Sequence, residues 1–257
     1  MEHRHQVASH QVASRNRGIR RSGRLLSHLG VLVAIAICAA TTSASEAAAS
    51  TTYNPYGTWN GYRIYLSPSS QSNAGCKSYL EKTGMMDAAE SATDSPFVNG
   101  TYYATPSQRS NLRARGYRVR IGTGTVADRI ADSNVWGADV HIPLHSNAPG
   151  GTYSCSSTST SGKGTMVMYY STNGKNLATQ LKSQIGSASP GTSDKICTDT
   201  ACSGQSLGEL RNTDGIAAYA EVEYHTWNIG VDWVRSSWTQ WGWRVGAAVD
   251  QYLGYPR

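Results

Sequence analysis

Three histidines, His141, His145 and His225, and two closely spaced glutamates, Glu221 and Glu223, are the residues beyond position 50 whose types and spacing could do chemistry. Imidazoles bind transition metals and move protons near neutral pH, and a carboxylate beside them is a ready general base. His141-Ile-Pro-Leu-His145 has the i, i+4 spacing that lets two histidines share a metal on one helix face. Pro143 argues against a helix, because it removes a backbone donor and clashes with the preceding turn. As a strand, the segment holds its histidines roughly 13 Å apart, so at most one of them serves a given ion. His145, at the strand end beside Asn147, is the ligand candidate, and His141 reads as a packed or hydrogen-bonded histidine. Glu221 and Glu223 alternate with Ala220, Val222 and Tyr224, which places both carboxylates on one side of a strand, roughly 6.6 Å apart at Cα. Two acids on a buried face need solvent, a partner or a metal. A general base, the carboxylate pair of a glycoside hydrolase and a salt bridge to a residue such as Arg235 all remain open at this point.

Other chemistries lack their residues. There is no P-loop and no G-x-G-x-x-G opening a helix. Five of the seven tryptophans fall between Trp227 and Trp243, where they could stack sugars but read more readily as core. Four of the five cysteines, Cys76, Cys155, Cys197 and Cys202, follow position 50 without any C-x-x-C pair. That spacing favours disulfides in an oxidising compartment over a four-thiolate zinc site. Cys197–Cys202 is the expected local clip, and it leaves Cys76–Cys155 to close a long loop.

The formal charge of +6 would suggest an anionic partner such as nucleic acid, but its distribution removes the argument. Residues 1–44 hold six arginines against Glu2, and the rest carries 17 basic against 16 acidic side chains. Nucleic acid is therefore not expected as a partner. The basic start leads into the uncharged stretch Val31–Ala40 and then into small residues through Ser50. This is the form of a secretory signal, residues 1–49, with cleavage near Ala44 or Ala49. Roughly ten strongly apolar residues are short for a bilayer span, so no retained membrane span is expected.

The elements that must position these groups are legible as periodicity. Runs rich in β-branched and aromatic residues at Tyr62–Leu66, Tyr117–Ile121, Asp139–His145, Thr165–Tyr170 and Ala217–Tyr224 predict strands. Helical spacing falls between them: Val126 and Ile130 open one helix, and Leu177, Leu181 and Ile185 form a stripe that Gly186 stops. A last helix is predicted over Trp243–Leu253. Alternating strands and helices predict an α/β fold, a single three-layer domain over residues 50–257 with a mixed, mostly parallel sheet of five to six strands flanked by helices. In such sheets chemistry gathers at the carboxyl ends of the strands. Those ends carry Ser67–Gln71, His145–Ala148 and Glu221–His225.

Three segments, in order, resemble the zinc-dependent N-acetylmuramoyl-L-alanine amidases of bacterial peptidoglycan. Ala138–Ala148 (ADVHIPLHSNA) is similar to the family strand ending in S-I-H-x-N-A, which supplies a zinc histidine. Ala218–Arg235 looks like the segment bearing the catalytic glutamate, and Asn111–Asn134 looks like the intervening strand and "R..AN" helix. The resemblance spans most of residues 60–255 and implies a secreted metal-dependent amide hydrolase acting on peptidoglycan. It further implies His145 and Glu81 as zinc ligands and Glu221 as general base. The family's first motif, D-P-G-H-G-G, is replaced by Leu66–Asn73 (LSPSSQSN), with Gln71 near the place of the missing histidine. A neutral amide oxygen is a poor donor to Zn²⁺. Gln71 ligates weakly, or His225 or Glu223 substitutes, His225 being expected on the strand face of Glu221, or the protein binds wall glycan without metal or activity.

Overall fold

The computed structural model describes residues 49–94, 97–98, 101–102, 111–149 and 153–255. The expected export signal lies outside them except for its last position. The chain runs β1 (Thr51–Tyr53), β2 (Arg63–Pro68), α1 (Glu81–Thr93), β3 (Phe97–Val98), β4 (Thr101–Tyr102), β5 (Arg118–Ile121), α2 (Val126–Trp136), β6 (Val140–Asn147) and β7 (Met166–Tyr169). It continues through α3 (Thr172–Gly186), β8 (Lys195–Thr198), α4 (Asp199–Ser203), α5 (Gly208–Arg211), β9 (Ile216–Tyr224), α6 (Asn228–Arg235) and α7 (Gly242–Leu253). Seven strands form one sheet in the order β1-β5-β2-β6-β9-β7-β8, and β3 and β4 form a separate hairpin. The β5-β2-β6-β9 block is parallel, whereas β1 and the β7-β8 pair run against it.

All five predicted runs are strands, and the sheet gains β1 and β8, so it has seven strands where five to six were expected. Both additions are three- or four-residue edge segments that lack an apolar run. The central strand β6 is buried along Val140–Ser146, as expected of a parallel strand covered on both sides. Its even-numbered positions, Val140, Ile142 and Leu144, join Ile64, Leu66, Ala218, Ala220 and Val222 in the main core. That core is closed by α1, α3, α6 and α7. The odd-numbered positions, His141, Pro143 and His145, face the layer of α2 and α5, where Tyr65, Ser67, Ala217 and Tyr219 also lie. Trp227, Trp233 and Trp241 are buried, the last two stacked at 5.4 Å.

Helix ends follow their local chemistry. A capping box of Thr125 and Asp128 starts α2, and Gly137 at φ 69° ends it. Ser171 caps α3 by accepting from the Gly174 N–H. The two disulfides are Cys76–Cys155 and Cys197–Cys202. The turn before α1 is fixed against the end of β9: Cys76 N donates to His225 O at 2.9 Å, and a Cβ on Gly75 would sit 2.4 Å from that same oxygen. Glycine is needed there for close approach, and the approach delivers Glu81 to the carboxyl edge of the sheet.

Candidate active site

The site grows from three strand ends and one helix start. His145 and Glu221 are directly opposed in the β6–β9 ladder. Glu81, the first residue of α1, reaches over the same edge. Its backbone N–H donates to Asn73 O at 3.0 Å, so the loop after β2 is tied to the helix start. Glu81 Oε1 lies 2.8 Å from His145 Nδ1, and Glu81 Oε2 accepts from Asn73 Nδ2 at 2.8 Å. Burial works to raise the Glu81 carboxyl, but the neighbouring His145 imidazole, with Ser69 and Asn73, outweighs it and holds the group below its usual range. Tyr219 stacks on the His145 ring at 4.4 Å and fixes its plane.

Glu221 is different in kind. Burial pushes its carboxyl up to about 7, with His145 opposing the shift and the Glu81 charge adding to it. Its Oε2, together with His145 Nε2, is sealed from solvent without a hydrogen-bond partner, and Glu81 Oε1 lacks an aligned one despite its 2.8 Å approach to the imidazole. Buried polar atoms are nearly always satisfied, and among the described residues three of the nine buried side-chain atoms without a partner fall on these converging side chains, where a bound group would complete them. A cavity of about 210 Å³ opens beside His145, lined also by Gln71, Tyr219, Arg129 and Glu209.

The sequence candidates thus divide. Glu81, His145 and Glu221 meet, and Gln71 shares the cavity with His145. Gln71 is exposed, and its Oε1 already accepts from Asn73 Nδ2 at 2.6 Å. Asn147 ends β6, where its carbonyl accepts from His225 N at 2.9 Å. His225 does not share a face with Glu221. A register shift between His145 and Asn147 sets three steps of β9 against two of β6, and His225 ends against Ser146, with Nδ1 3.0 Å from Ser146 Oγ and its ring stacked on Tyr79 at 5.4 Å. Burial lowers its pKa. Glu223 is likewise withdrawn. Its oxygens accept from the N–H groups of Gly164, Gly191 and Tyr224 and from the Ser189 hydroxyl, so it pins two loops instead of pairing with Glu221. Arg235 donates to Lys77 O, away from both glutamates.

Sequence reasoning passed over a buried network behind the site. Glu209 on α5 accepts from the Ser67 hydroxyl, lies 3.3 Å from His141 Nε2 and 3.8 Å from Arg129 Nε, and His141 Nδ1 meets Ser133 Oγ at 2.9 Å. Arg129 also donates to the Pro68 carbonyl. Arg129 stands in the quoted "R..AN"-like helix, a signal that could have flagged it; the four-residue α5 offers none for Glu209. Among the described residues, no group of three or more His, Cys, Asp or Glu is arranged to hold a metal.

No protein-family profile matches this sequence, and no curated protein does. Solved structures do. The N-acetylmuramoyl-L-alanine amidase AmiC2 of Nostoc punctiforme superposes with a TM-score of 0.58 at 14% identity, over 77% of this chain and 99% of that one. The amidase Ami1 of Mycobacterium smegmatis gives 0.55 at 12% identity over 77% and 99%, and an amidase of Clostridium difficile 630 gives 0.55 at 16% over 76% and 98%. The fold is therefore the α/β fold of these amidases, a single domain with a mixed seven-stranded sheet.

Proposed function

We propose that this protein is a secreted hydrolase that cleaves the amide bond between N-acetylmuramic acid and L-alanine in peptidoglycan, with Glu221 as general base. The observation that carries the reading is the meeting of Glu81, His145 and Glu221 at the carboxyl edge of an amidase-like sheet, each with a buried atom awaiting a partner. The fold neighbours support it, as do the export-like residues 1–49 and two disulfides of the kind that persist outside the cytosol. No helix among the described residues is long and apolar enough to cross a membrane.

Glu81 and His145, 2.8 Å apart, would be the two strong ligands of a cation, and Gln71, on the cavity wall with His145, would give up its bond to Asn73 to serve as a third. Bound there, zinc supplies polarisation of the scissile carbonyl and acidification of water. The protein's own part lies with Glu221. A carboxylate that titrates near neutrality can take a proton from the attacking water and return it to the departing alanine nitrogen. Tyr219 and Asn73 hold His145 and Glu81 in place during that exchange.

Glu221→Gln should abolish release of stem peptides from sacculi, a loss of about 10²-fold or more, while the folded chain persists. Mass spectrometry of the digests reads it, and stem peptides released at the wild-type rate by the variant would end the assignment. The engagement of Gln71 with Asn73 favours one second reading, a metal-free wall binder. Stoichiometric zinc in the purified protein excludes that version. The carboxylate-pair glycosidase loses its second acid to the loops around Glu223.

A further inference from the structure

We propose that the amino edge of the sheet, around Arg63, Arg118 and Trp59, is a docking surface for a polymer of phosphodiester-linked polyol units, an anionic chain laid in a cell wall beside its glycan. The proposal takes from the amidase reading its location at the wall and nothing of its chemistry. Arg63 opens β2 and Arg118 opens β5, and the two are directly opposed in that parallel ladder. Their side chains therefore leave the same face of the sheet from strands roughly 4.8 Å apart. Like charges opposed across a ladder repel, so this pair works against the fold.

Every other described arginine has a polar partner. Arg113 and Arg120 meet Asp94 and Asp132, Arg115 meets Asp250, Arg211 meets Asp199, and Arg129, Arg235 and Arg244 donate to backbone carbonyls. Among the described residues, the guanidiniums of Arg63 and Arg118 donate no hydrogen bond and meet no carboxylate, and Arg118 Nε is sealed from solvent without a partner. Asp139 directs its carboxylate to the Arg63 backbone N–H at 2.7 Å. What holds both cations is Trp59: Arg118 Cζ lies 4.3 Å and Arg63 Cζ 5.7 Å from its ring centroid. That ring is 38% exposed and is fixed by Nε1, which donates to Tyr62 O at 3.0 Å.

The arrangement selects the ligand. A guanidinium held by its flat face keeps its N–H edge for an acceptor, and that edge fits two phosphate oxygens at once. Two such edges side by side suit a chain that carries an anion in every unit. The rings of this edge already carry guanidiniums, since Arg113 also lies 4.2 Å over exposed Tyr56, so they are engaged in presenting cations and not left open to stack bases. A polyol between the phosphates therefore fits better than a nucleic acid. Arg63 lies level with Asp139, six residues before His145 and roughly 20 Å from it along the strands. A polymer held there leaves the carboxyl edge open.

Calorimetric titration of the disulfide-bonded chain with a synthetic glycerol phosphate oligomer tests the proposal. Binding is expected, and it should weaken as salt rises. Arg63→Gln and Arg118→Gln should each weaken it about tenfold, the loss of one charge-assisted contact. Arg118→Lys keeps the charge without the planar fork and should restore part of the affinity lost in Arg118→Gln. Circular dichroism should show both Gln variants folded, because neither side chain has a polar partner to lose; a variant that unfolds marks a structural arginine and overturns the surface. Absence of binding by the wild type, unchanged affinity in both Gln variants, or tighter binding of an oligothymidylate of equal phosphate number through the same arginines also overturns it. A chain that releases stem peptides but ignores the oligomer removes the surface and leaves the amidase reading standing. A chain that binds the oligomer through these arginines but never releases stem peptide keeps the surface and removes the hydrolysis.

Discussion

Two histidines four residues apart on β6 each face a buried glutamate, yet their surroundings are opposite in character. Around His141 both ring nitrogens are engaged, Nδ1 by Ser133 and Nε2 by Glu209, with the Tyr65 ring stacked at 5.0 Å and, behind them, Ser67 and Arg129, whose Nε lies 3.8 Å from Glu209 without a hydrogen bond. Around His145 the Glu81 contact is close but misaligned, and Glu221 points an unpaired oxygen into the same space. In the first arrangement the imidazole is satisfied at both nitrogens without a ligand and serves the fold. The second is incomplete, and incompleteness in a buried polar group is costly unless something else completes it. Residue type alone does not separate the two, since both are a histidine beside a glutamate on the same strand face.

The contrast can be broken most forcefully at the glutamates. Glu209→Leu leaves the Arg129 guanidinium buried without its carboxylate and should cost about 3 kcal/mol or more in urea denaturation. Glu221→Gln removes a desolvated acid that has no partner for Oε2, so the same experiment should show less than about 1 kcal/mol of change in either direction. Equal losses from the two variants would erase the distinction between a structural and a functional carboxylate.

A smaller effect sharpens the structural side. Asp199 at the start of α4 is held down to about 2 by the Arg211 guanidinium, with burial opposing and the Leu207 and Thr200 N–H groups assisting. A depressed carboxyl stabilises the fold above its unfolded value near 4 and loses that contribution as pH falls towards 2. The contribution is on the order of 1 to 2 kcal/mol. Asp199→Asn should flatten that part of a stability–pH profile, and an unaltered acid limb would refute the pairing. A third change sharpens the functional side. Gln71→His places an imidazole on the cavity wall that His145 also lines, and equilibrium dialysis should show zinc held about tenfold more tightly. No gain would place Gln71 outside the donor set.

Much of this division is legible in the sequence where periodicity carries it. Pro143 turns HIPLH from a metal-binding helix pattern into a strand, and the strand is β6. The Leu177, Leu181 and Ile185 stripe marks α3 and its end at Gly186. Alternation fails at His225, because a register shift is a property of two paired strands and leaves no trace in one of them. It fails for Glu223 for a related reason: the backbone donors that claim it come from residues 164 and 191, far along the chain. Glu209 meets Ser67 across 142 residues from a helix of one turn, too short for any periodic signal.

The bridge between Cys76 and Cys155 spans 79 positions, and both Glu81 and His145 lie inside that ring of chain. Closing a ring of this size restrains the unfolded polypeptide by about 4 kcal/mol. The histidine–glutamate pair is thereby coupled to thiol oxidation. Under reducing conditions the chain forgoes that restraint and holds the pair less firmly, and oxidation supplies the covalent ring that keeps the pair set.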